Sequence, residues 1–132
     1  MKSWPGFFGI AIIGAVNMGF PAPALSAAGI EEAKRDYQAS CEVCHGSRAK
    51  GDGPLKEELK AHVPDLTVLA KHNNGTFPFD RVVQAIDGRQ QIRAHGPRDM
   101  PVWGNSFRLR DAGPTPASRI QGLAEYLERL QE

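Results

Sequence analysis

The stretch Ser40-Cys41-Glu42-Val43-Cys44-His45-Gly46-Ser47 holds both cysteines of a 132-residue chain, and a histidine directly follows the second. Three chemistries use such a pattern. It serves as a dithiol that exchanges with disulfides, as half of a zinc site, or as the thioether attachment point of a c-type haem, the usual meaning of Cys-x-x-Cys-His. The surrounding sequence has to choose among them.

Upstream of the motif, Ile30, Ala33, Tyr37, Cys41 and Cys44 recur at spacings of 3, 4, 4 and 3, one face of a helix. This predicts a first helix from Ile30 with both thiols on its buried stripe. Glu31 and Glu32 are expected in its first turn, where they favour the positive helix end.

The first 28 residues read differently. A basic Lys2, an apolar run from Phe7 to Phe20 and the small-residue tail Pro21–Ala28 are the parts of a secretory signal peptide. The apolar run has 14 residues and includes Asn17, whereas a spanning helix needs about 20 apolar residues. Cleavage near Ala27 or Ala28 is therefore expected, rather than a retained anchor, with residues 29–132 as a single exported domain. No cysteine lies near that boundary, so no lipid attachment is expected.

Export changes the charge balance. The chain has 16 Lys+Arg against 15 Asp+Glu, and Lys2 is the one charged residue before Gly29, so the mature part is formally neutral. Nucleic acid wants a strongly basic face, and an anionic membrane wants a polybasic patch. Neither is present, so neither partner is expected, nor is stable membrane insertion after cleavage.

Farther along, Phe79, Val82, Val83 and Ile86 predict a helix over 79–87 that stops at Gly88. Thr115 and Pro116 form a start signal for a last helix over 117–130. Its apolar side is Ile120, Leu123, Leu127 and Leu130, and Arg119, Gln121, Glu125 and Glu128 are placed toward water. Shorter helical pieces are expected over 55–61 and 65–71. No alternating strand pattern and no repeat is evident. Between Gly88 and Pro116 runs a long irregular stretch of the kind that wraps a ligand.

Thioether attachment needs two thiols that reach one porphyrin. Cys41 and Cys44, at i and i+3, project the same way, and His45 is placed to offer its imidazole to the iron from the same side. A second axial position needs another ligand. Met1 and Met18 leave with the leader, and Met100 remains, in the irregular stretch 55 residues beyond His45. Met100 is the expected second metal ligand. His95 is the rival.

Taken together, Cys41–Gly46, Gly51-Asp-Gly-Pro54, Val63-Pro-Asp-Leu-Thr67, Asp99-Met-Pro-Val-Trp-Gly104 and Ile120–Leu130 resemble a class I cytochrome c. The similarity is to the small bacterial kind related to the haem-bearing subunit of cbb3-type oxidases, and it covers nearly the whole mature chain. The resemblance implies an all-α fold of three to five helices wrapped around a covalently bound haem c, with first and last helices crossing. It implies His45 as proximal ligand and Met100 as distal ligand. Pro64 inherits a carbonyl that accepts a hydrogen bond from the proximal imidazole. This sequence has Asp65 where the family has asparagine.

Leu66, Leu69, Phe77, Phe79, Ile86, Val102, Trp103 and Phe107 are candidates to line the haem, and Arg81, Arg89, Arg93 and the Trp103 indole are candidates for its propionates. His62 and His72 sit in polar contexts and are expected in solvent. The expected function is a periplasmic carrier of single electrons, not an enzyme. It would be a monomer that meets transient redox partners. The alternative is a haem-bearing subunit of a larger dehydrogenase or oxidase; a further one is an iron left open if Met100 does not bind it. A dithiol exchanger would need a βαβ scaffold and a zinc site a second ligand cluster, and the sequence offers neither.

Overall fold

The computed structural model describes residues 25–89, 100–109 and 113–132. The described residues form five α-helices and no strand: α1 (Ala27–Ser40), α2 (Glu42–His45), α3 (Phe79–Asp87), α4 (Trp103–Ser106) and α5 (Pro116–Arg129). Single 3-10 turns lie at Lys56–Glu58, Leu66–Val68, Lys71–Asn73 and Phe107–Leu109. The residues of the expected leader up to Ala24 lie outside the described part, as do Arg93 and His95. No described helix is long and apolar enough to cross a membrane.

The last helix forms where its start signal places it. The Thr115 side chain accepts the Ser118 N–H, and Pro116 occupies the first turn. Helix α3 likewise ends at Gly88, whose φ of +65° lies in the left-handed region. Helix α1, however, begins three residues before Ile30. Ser26 is its cap, accepting from Gly29 N–H, so Glu31 and Glu32 fall beyond the first turn. The expected domain boundary after Ala28 thus falls inside α1.

Two of the shorter expectations shrink. Over 55–61 and 65–71 the chain makes isolated 3-10 turns rather than helices. Each closes a single turn, as where Asn73 N–H donates to the Ala70 carbonyl at 3.0 Å. Asp65 instead accepts from Thr67 N–H at 2.8 Å, which stabilises a local turn.

The core is built by α1, α3 and α5. Ala33 and Tyr37 of α1, Val82 and Ile86 of α3, and Ile120, Leu123, Ala124 and Leu127 of α5 are buried, together with Phe107. The α1–α5 contact is the most extensive between elements, and α5 also meets α3 and α4. The α1 and α5 faces are the ones their apolar spacing predicts.

The polar face of α5 needs correction at two places, since Glu125 is half-buried and accepts from the Leu25 N–H at 2.7 Å, and Arg119 departs further. Arg119 is not turned to water. Its Nη1 donates to Asp36 of α1 at 2.6 Å, with side chains 11% and 8% exposed, and its guanidinium lies 5.9 Å from the Phe107 ring centroid. Asp36 adjoins Tyr37 on the buried side of α1, so α5 must bring a cation to meet it. Removing one member of such a pair strands the other charge. Asp36→Ala is therefore expected to lower unfolding free energy by about 3 kcal/mol in chemical denaturation. A loss under about 1 kcal/mol would show that the pair behaves like an exposed one.

Candidate haem-attachment site

The motif sits at a break between two helices. Helix α1 ends at Ser40, and Cys41, with φ −116° and ψ −35°, begins a new short helix that carries Glu42 to His45. The Cys41 N–H still donates to the Tyr37 carbonyl at 2.8 Å, so helical hydrogen bonding runs up to the break. Cys44 and His45 N–H both donate to the Cys41 carbonyl, at 3.1 and 2.9 Å. Two half-buried free thiols and an imidazole thus arise from a single turn.

The following loop folds back over this turn. Gly51 N–H donates to His45 carbonyl at 2.9 Å, Gly53 to Cys44 at 3.1 Å and Leu55 to Val43 at 3.0 Å. Approach this close excludes a side chain at Gly53, where a Cβ would sit 2.5 Å from the Cys44 carbonyl carbon. The Gly51-Asp-Gly-Pro54 segment therefore serves the motif directly, a role its composition alone did not reveal. The Tyr37 hydroxyl donates to the buried Gly46 carbonyl at 2.7 Å, tying α1 to the far end of the motif. Tyr37→Phe leaves that carbonyl without its donor. It is expected to cost about 1–2 kcal/mol, read as a lower melting temperature.

Pro64 and Leu66 are brought to the motif by the chain that follows it. Leu66 N–H donates to the carbonyl of Ala49, a fully buried residue with φ +59°. The end of the chain then clamps this segment. Gln131 Nε2 donates to Leu66 carbonyl at 2.8 Å, its Oε1 accepts from Ala70 N–H, and Glu132 N–H donates to Thr67 carbonyl at 2.9 Å. Gln131 carries no sequence signal of this role; it simply follows the last helix.

Two opposed effects act on His45. Burial lowers its pKa, and the Pro64 backbone, as hydrogen-bond partner, raises it. That contact falls short of regular geometry, since Nδ1 is buried without a full partner. Burial therefore dominates, and the neutral imidazole that a metal requires is favoured. The Cys41 thiol is pushed up to about 12, chiefly by burial and then by Asp36 and Cys44. Dithiol exchangers work through a lowered thiol pKa, so Cys41 is poorly suited to that chemistry. Among the described residues, no three His, Cys, Asp or Glu side chains converge to hold a metal ion, and a zinc reading finds no ligand cluster.

A haem fits this donor set. The thiols are paired on one turn, and burial lowers the imidazole pKa, which favours the neutral form a metal takes. Around the core, Cys41, Leu66, Leu69, Phe77, Phe79, Val83 and Trp103 are partly buried apolar groups packed against it. Trp103 opens α4 and stacks on Phe107 at 5.7 Å between centroids. Helix α4 lies close against the end of α3, since a Cβ on Gly104 would meet the Asp87 carbonyl oxygen at 2.9 Å. At the same place a Cβ on Gly88 would meet the Val102 Cα at 3.2 Å. Met100 is 38% exposed at the start of its described segment.

The remaining candidates lie at the surface or near it. Arg89 Nε donates to Asp87 at 2.6 Å, so this arginine already has an anionic partner. Arg81, His62 and His72 are exposed. A separate cavity of about 30 Å³, bounded by Leu25, Ala33, Asp36 and Arg119, is of water size and does not touch the motif. Set against known proteins, the chain matches no family model, no curated protein and no solved structure.

Proposed function

We propose that this chain is an exported carrier of single electrons, built around one haem c attached through Cys41 and Cys44. The observation that carries the reading is the single turn that presents two half-buried thiols and a half-buried imidazole, its pKa lowered by burial, beside half-buried apolar side chains. When bound, the haem supplies an iron that gains and loses one electron. The chain's own residues set the conditions for that exchange. Cys41 and Cys44 would fix the group covalently, and His45 and Met100 would hold the metal. Pro64 orients the imidazole, while Leu66 and Trp103 keep water away. With His45 and Met100 both bound to the metal, no position would be left for a substrate, which would separate a carrier from an enzyme. A soft thioether at the second position favours the reduced metal over what a second histidine would give.

Partners would be other redox proteins in the periplasm, met transiently. Such encounters typically bury less than about 1,200 Å², which suits a monomer with no net charge after export. Carbon monoxide tests the carrier reading. The reduced protein is expected to leave its spectrum unchanged under the gas. Rapid conversion to a carbonyl adduct would mean an open iron, and a ligand-binding or catalytic role in its place.

A further inference from the structure

We infer that the leader is cut between Ala24 and Leu25, so that the mature chain begins with an α-ammonium group paired to Glu125; this rests on the export reading above. The Leu25 backbone nitrogen donates to Glu125 Oε2 at 2.7 Å in a partly buried contact across 100 positions of sequence. Ser26 caps α1 through its side chain, and its carbonyl accepts the Ile30 N–H at 3.0 Å. The Leu25 side chain packs over Gly29 and reaches Gly122 of α5, where an added Cβ would meet it at 3.6 Å. Leu25 is thus a working part of the α1–α5 seam, and Ser26 of the α1 cap.

A cut after Ala27 or Ala28 would remove both residues. It would also place a new positive charge in the first turn of α1, at the end of a helix that already carries positive partial charge. A cut after Ala24 keeps the cap and the seam. The sequence permits it, because Ala22-Pro23-Ala24 supplies small residues at the first and third positions before the bond, soon after the apolar run ends at Phe20. Chemically, a signal peptidase adds one water across the Ala24–Leu25 peptide bond. Ala24 leaves as a carboxylate with the leader, and the Leu25 amide nitrogen becomes an ammonium. One neutral donor becomes a cation with three donors, already at hydrogen-bond distance from a carboxylate. Charge-assisted bonds of this kind are about twice as strong as neutral ones.

N-terminal sequencing and intact mass of the full chain, purified after export from a host that matures c-type haem, test this. The expected product begins Leu-Ser-Ala-Ala-Gly. A product beginning at Ala28, Gly29 or another residue overturns the inference and leaves export standing. A product still beginning at Met1 overturns both. Two variants separate the sites: Ala24→Leu is expected to lose or displace the cut, and Ala28→Leu to keep it at Leu25; the reverse pattern contradicts the assignment. Glu125→Gln retains an acceptor but removes the charge. It is expected to lower the melting temperature by a few degrees at low salt and by less at high salt, and no shift at either would refute the ammonium pairing.

Discussion

Exported with Cys41 and Cys44 both replaced by alanine, the protein is expected to lose the proposed covalent haem completely. After denaturing electrophoresis the wild-type band should retain peroxidase-active haem stain, and the double variant's should not. The expected effect is all-or-none, because each thioether depends on one thiol and the chain has no other cysteine. The fold is expected to suffer with it. A mature chain of little over a hundred residues has a modest core, and here several of its apolar groups are only partly covered by protein. Melting should therefore broaden and fall in temperature. Haem that survives denaturation in the double variant would mean that some other group holds it.

The second large effect is expected at Met100. Met100→Ala removes the proposed second axial ligand. The weak absorption band near the red edge that marks iron–sulfur(Met) ligation should vanish, and the reduced variant should bind carbon monoxide. The midpoint potential should fall by roughly 0.1–0.3 V, a fraction of the ~0.8 V that axial ligands span. Covalent haem should be retained, since the thiols are intact. This distinguishes loss of a ligand from loss of the fold. An unchanged spectrum would move the second position to His95.

The parts of the fold that were legible in the sequence are those with local signals. Helix α5 announces itself by Thr115, Pro116 and a regular apolar stripe, and α3 by its stripe and Gly88. The start of α1 was not legible, because Ser26-Ala27-Ala28 has the small-residue composition of a leader tail and of a helix start alike. The break at Cys41 was hidden for a different reason. The spacing from Tyr37 to Cys44 continues unbroken across it, and so do the backbone bonds from Cys41 N–H to Tyr37 and from His45 N–H to Cys41. Arg119 read as a surface residue because α5 alone does not disclose Asp36, which lies 83 positions away.

The same division runs through the candidate site. Cys41, Cys44 and His45 are neighbours in sequence, so their spacing alone suggests what they do together. Pro64 and Leu66 reach the motif through turn hydrogen bonds, such as Leu66 N–H to Ala49, and through Gln131 at the far end of the chain. Such contacts depend on backbone geometry and have no periodicity to read. Tyr37 was legible as core, but its bond to Gly46 was not, because a helical stripe says nothing of where a hydroxyl ends.

The most direct test of the central proposal is a reduced-minus-oxidised absorption spectrum of the purified exported protein, from a host able to mature c-type haem. A sharp c-type difference spectrum, with one haem per chain, is the expected result. A colourless protein, recovered folded and exported from that host, would contradict it.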